Sequence, residues 1–374
     1  SYIRKDPPNS SNPINSMNSK NPSNSINIRI VTDNDQPGWD GYVLSNPDAG
    51  PYHLYGWKTV VENVYGHKGY YLIAENGHDT KGVLPLLYVR VPFLGGNLVS
   101  LPFCDIGGVL AEDEFVRYKL LDDAFSLSKE LQAKFLEIRC YRKKLFSDDG
   151  DLPTEIEANK VSMLLDIPGS SQELWNGFKS KLRSQVRKAE KNGLHFSWGD
   201  ASSLDDFYKV FSRNMHDLGS PVHSKKWLEN VIVNFAENAR VGIVRLDEKT
   251  VGVGLILLNR HNVSIPWAST LREYNRLNPN MLLYWNFLKF SADNGFRQFD
   301  FGRSTPDQGT FRFKKQWGAT PSPLYWHKVY VSGRRKKAGS KRSSSRQTLA
   351  GLWAKMPLFL ANFLGPKFRK YISL

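Results

Sequence analysis

An α/β (α+β) chain of two tandem modules, each a mixed, mostly antiparallel sheet flanked by helices, is predicted by three observations. The order hairpin, strand, helix, strand occurs twice. The hairpin glycines Gly82 and Gly252 stand 170 positions apart. A strongly basic helix connects the two runs. The length of 374 residues suits two domains of ordinary size, each able to bury a substantial core.

Residues 1–27 are rich in Asn, Ser and Pro, with Asn at every third position from Asn9 to Asn27. Such a segment has little to bury and reads as a disordered tether. The first module then runs over 28–158. It opens with a strand at 28–32 and a helix at 57–65. YYLIAE (70–75) and GVLPLLYVR (82–90) flank the polar turn NGHDT and read as a hairpin. NLVSLPF (97–103) is a further extended run. A helix over 114–131 carries Phe115, Leu120, Leu121, Phe125 and Leu127 mostly on one side, and FLEIRC (135–140) is a strand.

The second module, 159–332, begins with the basic helix at 171–192. Ser170 and Glu173 fit a capping box, and Gly193 fits a stop. Leu174, Trp175, Phe178, Leu182, Val186 and Ala189 form one apolar stripe. Lys179, Arg183, Arg187 and Lys191 recur every four residues beside it. Like charges at that spacing weaken a helix slightly, so the stripe reads either as an anion-holding face or as a solvated one. A helix at 203–218 follows. VGIVRL (241–246) and VGVGLILL (251–258) form the second hairpin, VSIPWAS (263–269) a strand, and 279–295 a helix with Pro279 in its first turn. RQFDFG (297–302) and YWHKVYV (325–331) are the last strands.

The formal charge of +15 is concentrated. Residues 331–374 hold eleven Lys/Arg and no Asp/Glu, leaving forty bases against thirty-six acids elsewhere. A protein binding nucleic acid over its whole surface would look different. No apolar run is long enough to cross a bilayer. Cys104 and Cys140 sit in no CxxC pair, so a disulfide scaffold or structural zinc is not expected, and two lone thiols fit a reducing cytoplasm.

The most unusual stretch is FDFGRSTPDQGTFRFKKQWG (299–318). Asp300 lies between two Phe inside a strand, either in a functional cleft or in a structural Asp–Arg pair. Arg303 and Ser304 follow at the strand end, where ligand sites in open α/β sheets lie. Lys314, Lys315 and Trp317 add cations and a flat ring, and Tyr284 comes from helix 279–295. These six flank Asp300 as substrate-binding candidates. SLPFCDIGG (100–108) is an echo in the first module, with Asp105 as a cleft residue or a turn cap. The start of helix 279–295 offers unpaired N–H groups to an anion. Arg272, Arg276 and Asn280 sit there, and with Arg183 and Arg187 they are the donor-binding candidates. No nucleophile–base pair and no metal cluster stands out. That favours direct aminolysis without a covalent enzyme intermediate, Asp300 or Asp105 taking the proton and N–H groups near 263–269 serving the oxyanion.

YGHKGYYLIAE (65–75), GVLPLLYV (82–89), LVSLPFCDIGG (98–108), KLRSQVRKAEKNGL (181–194), MHDLGSPV (215–222), 299–318 and LWAKMPLFLANFLGP (352–366) together carry a family resemblance. On them the chain resembles the FemAB-like branch of the GNAT-related acyltransferases. It is most similar to the FemAB-family proteins found with PEP-CTERM/exosortase exopolysaccharide systems. The resemblance implies two tandem GNAT-like domains. It implies acyl or aminoacyl transfer to an amine on a cell-envelope glycan or peptidoglycan-type precursor, nucleotide- or lipid-linked. Aminoacyl-tRNA is the donor in studied relatives. The long helical hairpin that some tRNA users insert is missing here, which leaves acyl-CoA open. No tightly bound cofactor is implied. The basic helix and the FDFG-R-S loop of the family map onto 179–191 and 299–304.

In the tail, 333–346 reads as a flexible basic linker. Leu352, Trp353, Met356, Phe359, Leu360, Phe363 and Leu364 then share a helical face interrupted by Pro357. This face is either an anchor on an anionic membrane or a helix packed on the body. The expected location is the cytoplasm, peripheral at the inner face of the membrane, beside exopolysaccharide machinery. Two other readings remain: a non-catalytic envelope assembly factor, and an RNA-binding protein acting through the tail.

Overall fold

Pro85 interrupts the run 82–90, and the chain changes sheets there. The computed structural model describes residues 26–146, 154–332 and 342–373. The tether expected at 1–27 therefore falls, up to residue 25, outside the described residues, as does 333–341 of the linker. The first half contains β1 (Asn27–Ile30), α1 (Gln36–Ser45), α2 (Gly56–Tyr65), β2 (Lys68–Gly69), β3 (Leu72–Asn76), β4 (Asp79–Leu84), β5 (Leu87–Val91), β6 (Gly95–Val99), β7 (Leu110–Ala111), α3 (Glu114–Glu130) and β8 (Phe135–Cys140). There follow β9 (Thr154–Asp166), α4 (Ser171–Gly177), α5 (Ser180–Lys191), β10 (Leu194–Gly199), α6 (Leu204–Asp217), α7 (Lys225–Phe235), β11 (Ala239–Leu246), β12 (Lys249–Leu258) and β13 (Asn262–Thr270). The chain continues with α8 (Pro279–Asp293), β14 (Gln298–Ser304), α9 (Gly309–Gln316), β15 (Thr320–Tyr330), α10 (Arg342–Lys355) and α11 (Leu358–Arg369).

The strands form a mixed α/β architecture. A small sheet has the order β1-β3-β4-β7, and an 11-stranded sheet runs β10-β11-β12-β13-β14-β9-β15-β8-β6-β5-β2 through both halves. The last strand, β15, is inserted between β9 and β8, antiparallel to both. The boundary expected at 158/159 falls inside β9.

The two hairpins share an irregularity. Gly82 pairs with Ala74 and Gly252 with Val244, and each ladder shifts register at the next step toward its turn. Each glycine has a packing reason as well. A Cβ on Gly82 would lie 2.8 Å from Val116 Cγ1 of α3. Gly242 and Gly254 face one another across β11 and β12. Their missing side chains make the slot that seats Phe287 of α8, since a Cβ would come within 2.5 Å and 2.7 Å of that ring.

Alternation along the strands sorts the core onto two faces. Ile243, Val253 and Leu255 meet α6 and α7 together with α1 and α2 of the first half. Val244, Ile256, Phe299 and Phe301 meet α4, α5 and α8. A third cluster lies between α3, the small sheet and β8.

Several expected elements differ in detail. The basic connecting helix is two helices, because Phe178 is extended (ψ 145°) after Gly177. Lys179 is thus the N-cap of α5 and not a member of a helical stripe. On α3, Phe115 is exposed and Val116 is buried in its place. α1, β7, β9, β10, α7 and α9 have no counterpart among the expected elements.

The tail is docked. Pro357 is the N-cap of α11, and Gly365 lies against the backbone of Val222. His216 and His67 donate to the carbonyls of Met356 and Lys370 at 2.7 Å each. Arg369 Nε donates to His223 Nε2 at 3.0 Å, and Phe103 N–H donates to the Ser373 carbonyl at 2.7 Å. The outer face remains apolar, with Leu352, Phe359 and Phe363 each more than 60% exposed. Among the described residues no helix is long and apolar enough to cross a membrane.

Candidate active site

In β14, Phe299 and Phe301 turn toward α8 and enter its core. Alternation then sends Asp300 to the opposite face. There it lines a cavity of about 500 Å³ whose other walls include Tyr52, His53, Tyr141 and Ser264. Strands β13 and β14 are parallel neighbours only from Asn262↔Gln298 to Ser264↔Asp300. Both continue beyond that point, to Thr270 and Ser304, but apart. Asp300 therefore stands where the sheet opens. Its other neighbour, β9, shifts register between Asp300 and Arg303. The bulge is made possible by Gly302 at φ +75°, a conformation that side chains rarely adopt.

Two donors converge on one oxygen of Asp300. Ser162 Oγ and Gly302 N–H reach Oδ1 at 2.5 and 2.7 Å. Burial pushes the Asp300 carboxyl up to about 6; those two hydrogen bonds oppose the rise, the charge of Asp105 adds to it, and Lys314 opposes it. The group is poised to exchange a proton near neutrality. Lys314 is buried and donates to the carbonyls of Gly302 and Arg303 at 2.9 Å each. Burial lowers its amine to about 8, the nearby carboxylates resisting.

Asp105 braces the bulge. Its Oδ2 accepts from Arg303 N–H at 3.1 Å, and its Oδ1 lies 3.3 Å from Arg303 Nε. The Arg303 guanidinium lies 5.1 Å from the centre of the Trp326 ring, and that of Arg139 lies 4.2 Å from it. Arg139 is fully buried and reaches Glu137, the Cys104 carbonyl and Ser373. Leu101 and Phe103, just before Asp105, are held at φ +54° and +69°. That strain is concentrated beside the site.

The structure thus brings Asp300, Asp105, Arg303 and Lys314 together. Ser304 is buried at the end of β14, its hydroxyl without a hydrogen-bond partner among the described residues. Lys315 is exposed on the outer side of α9. Trp317 and Tyr284, expected to contact substrate, are buried in the α8 core against Phe178 and Phe301. Arg183 and Arg187 lie on α5, which packs on the α8 side of the sheet. Arg272 and Arg276 occupy the turn before α8, and Asn280 its first turn. None of these four arginines makes an ion pair among the described residues. Ser162, Tyr52, Tyr141 and Trp326 were missed by sequence reasoning. Ser162 was legible only once β9 was recognised as a strand. The others join the site through contacts with residues far along the chain.

Residues 176–315 match the family model of the acetyltransferase (GNAT) domain. No curated protein matches the chain. Among solved structures, the crystal structure of FemX is similar with a TM-score of 0.63 and 17% identity, covering 80% of this chain and 96% of that one. L-PGS from Bacillus licheniformis is similar with a TM-score of 0.56 and 11% identity, covering 88% and 99%. The C-terminal domain of a putative lysylphosphatidylglycerol synthetase from Agrobacterium fabrum has a TM-score of 0.53 and 10% identity, covering 85% and 95%. At such identities the likeness is one of fold.

Proposed function

We propose that this GNAT-related, FemAB-like acyltransferase moves an acyl or aminoacyl group onto an amine of a cell-envelope glycan or lipid-linked precursor. One observation carries the reading. Asp300 faces a cavity of about 500 Å³ at the point where two parallel strands part, with its carboxyl pushed up to about 6. The acceptor amine sits in the cavity and the activated carbonyl comes in between β13 and β14. The amine nitrogen attacks the carbonyl carbon, a C–N bond forms, and the C–S or C–O bond to the donor breaks. Asp300 takes the proton lost by the amine, and the leaving group takes one from water. Backbone N–H groups of β13 beyond Ser264, freed from the β14 ladder, serve the oxyanion. Asp105 and Lys314 hold the bulge that aims Asp300.

The donor is acyl-CoA or aminoacyl-tRNA. Its phosphates meet the start of α8 with Asn280, Arg272 and Arg276, and Arg183 and Arg187 add positive charge from α5, which packs on α8. The tail rests on an anionic membrane surface through its exposed apolar residues and its lysines, which suits a lipid-linked acceptor. The test is stabilisation of the full chain by acetyl-CoA, longer acyl-CoAs, charged tRNA and uncharged tRNA. At about 100 times its dissociation constant, a true donor adds about 2.7 kcal/mol. Stabilisation by one activated donor, beyond any common to both tRNAs, supports the reading. No donor-specific gain, together with no transfer to any amine, would sink it.

A further inference from the structure

The cavity that holds Asp300 has a second charged wall, built from the first half of the chain. Arg117, in the first turn of α3, and Arg142, two residues past β8, both line it. The Arg117 side chain is 8% exposed. Its Nε is sealed from solvent and meets no hydrogen-bond acceptor among the described residues. A guanidinium carries five N–H donors, and a buried donor left without an acceptor is costly. Such a group in a folded protein calls for an explanation.

Nearby acid does not supply one. Glu114 touches Arg117 Nη1 and lies 3.5 Å from Arg142 Nη1, so one carboxylate, itself 60% exposed, serves two guanidiniums. Asp48 also lines the cavity, but it is exposed and pairs with neither arginine. His53 adds no charge. Its ring nitrogens meet Gly50 and the Gly108 carbonyl, and burial brings its pKa down to about 4. Arg142 is fixed at its main chain, where His327 Nε2 donates to its carbonyl at 2.8 Å and Cys140 Sγ at 3.5 Å. Its side chain remains half exposed and able to turn into the cavity.

Resting on the transfer reading above, we propose that Arg117 and Arg142 form an oxyanion subsite of the acceptor, at a separate wall of the cavity from Asp300. The acceptor is thus an amine that also carries a phosphate, a diphosphate or a carboxylate. Two guanidinium forks match the paired oxygens of any of these groups. The cavity volume lies within the range of small-molecule sites, so it takes the head of such a precursor and leaves a polymer or lipid outside.

The experiment is calorimetric titration of the full chain with inorganic phosphate, pyrophosphate and glutarate, at a fixed ionic strength of about 0.15 M. It is repeated on Arg142→Gln and Arg117→Gln. Arg142 is half exposed, so its variant reports even where Arg117→Gln fails to fold. The expected result is saturable binding of at least one anion, weakened at least about tenfold by Arg142→Gln. Preference for pyrophosphate or phosphate identifies a phosphoryl acceptor, and preference for glutarate a carboxylate one. Undetectable binding, or binding that Arg142→Gln leaves unchanged because the basic tail accounts for it, overturns the subsite. The transfer reading fails separately. Anion binding sensitive to Arg142→Gln, with no transfer from any donor, keeps the subsite and removes the reaction. Transfer to an amine that carries a phosphate or a carboxylate, with a KM untouched by Arg142→Gln, keeps the reaction and removes the subsite.

Discussion

Replacing Asp300 by Asn should make the protein more stable and less active, with the stability gain confined to the upper part of the pH range. Burial raises the Asp300 pKa from 3.8 to about 6. A group whose folded pKa lies above its unfolded one favours folding while protonated. Its contribution is fully present below about 3.8 and is lost as pH rises through about 6. Above that point the fold carries a buried charge it would rather not hold, at about 3 kcal/mol. Asparagine removes the charge and keeps an oxygen to accept from Ser162 Oγ and Gly302 N–H, which reach Oδ1 in the native protein. The variant should therefore exceed the wild type by up to about 3 kcal/mol at pH 8 and match it near pH 4. Urea unfolding followed by tryptophan fluorescence at several pH values measures this. A difference that is constant with pH, or that favours the wild type at pH 8, would refute the reasoning. In the same variant, transfer should fall by roughly 10²–10⁴-fold, and the rise of the wild-type rate through about pH 6 should disappear.

Asp105→Asn loses the ion pair to Arg303 but leaves Asp300 in place. Its transfer rate should drop by about tenfold while the rise near pH 6 survives, which a pH–rate profile reads directly. Gly242→Ala puts a methyl 2.5 Å from the Phe287 ring and should cost about 1–3 kcal/mol in urea unfolding, part of it recovered by adding Phe287→Leu. Arg369→Ala removes the donor to His223 and should lower stability by about 1–3 kcal/mol, with protease cleavage appearing first within 342–373.

Much of the fold was legible because periodicity and punctuation agreed. FLEIRC became β8 residue for residue, and the helix with Pro279 at its start and Gly295 at its end became α8. The paired hairpin glycines pointed to a repeat that the matching register shifts bear out. The misses have local causes. The first part of β9 carries Thr154, Glu155, Glu157, Asn159 and Lys160 and lies outside the core, so alternation is faint. The α4–α5 break leaves the apolar stripe intact in sequence, because Phe178 packs on Trp285 and Trp317 from the break itself. At the site, an Asp between two Phe was informative because alternation sent it away from its neighbours' core. Tyr284 on α8 and Trp317 at the end of α9 instead pack into that core, on the other face of β14 from Asp300. The arginines of the far wall were invisible, since nothing in sequence relates residues 117 and 142 to residue 300.

The insertion of β15 has a consequence for synthesis. Strand β8 pairs along its whole length with residues 325–330 and meets β6 at only two positions. Among the described residues, strand β9 pairs with β14 and β15. While the chain is being made, both wait with open edges until residue 330 has left the ribosome. The first half is not a unit that finishes early. It is closed by β15, at residues 320–330, over a sequence separation that makes closure slow. Until then its edges are open to other chains, and a product truncated before residue 320 keeps them open for good.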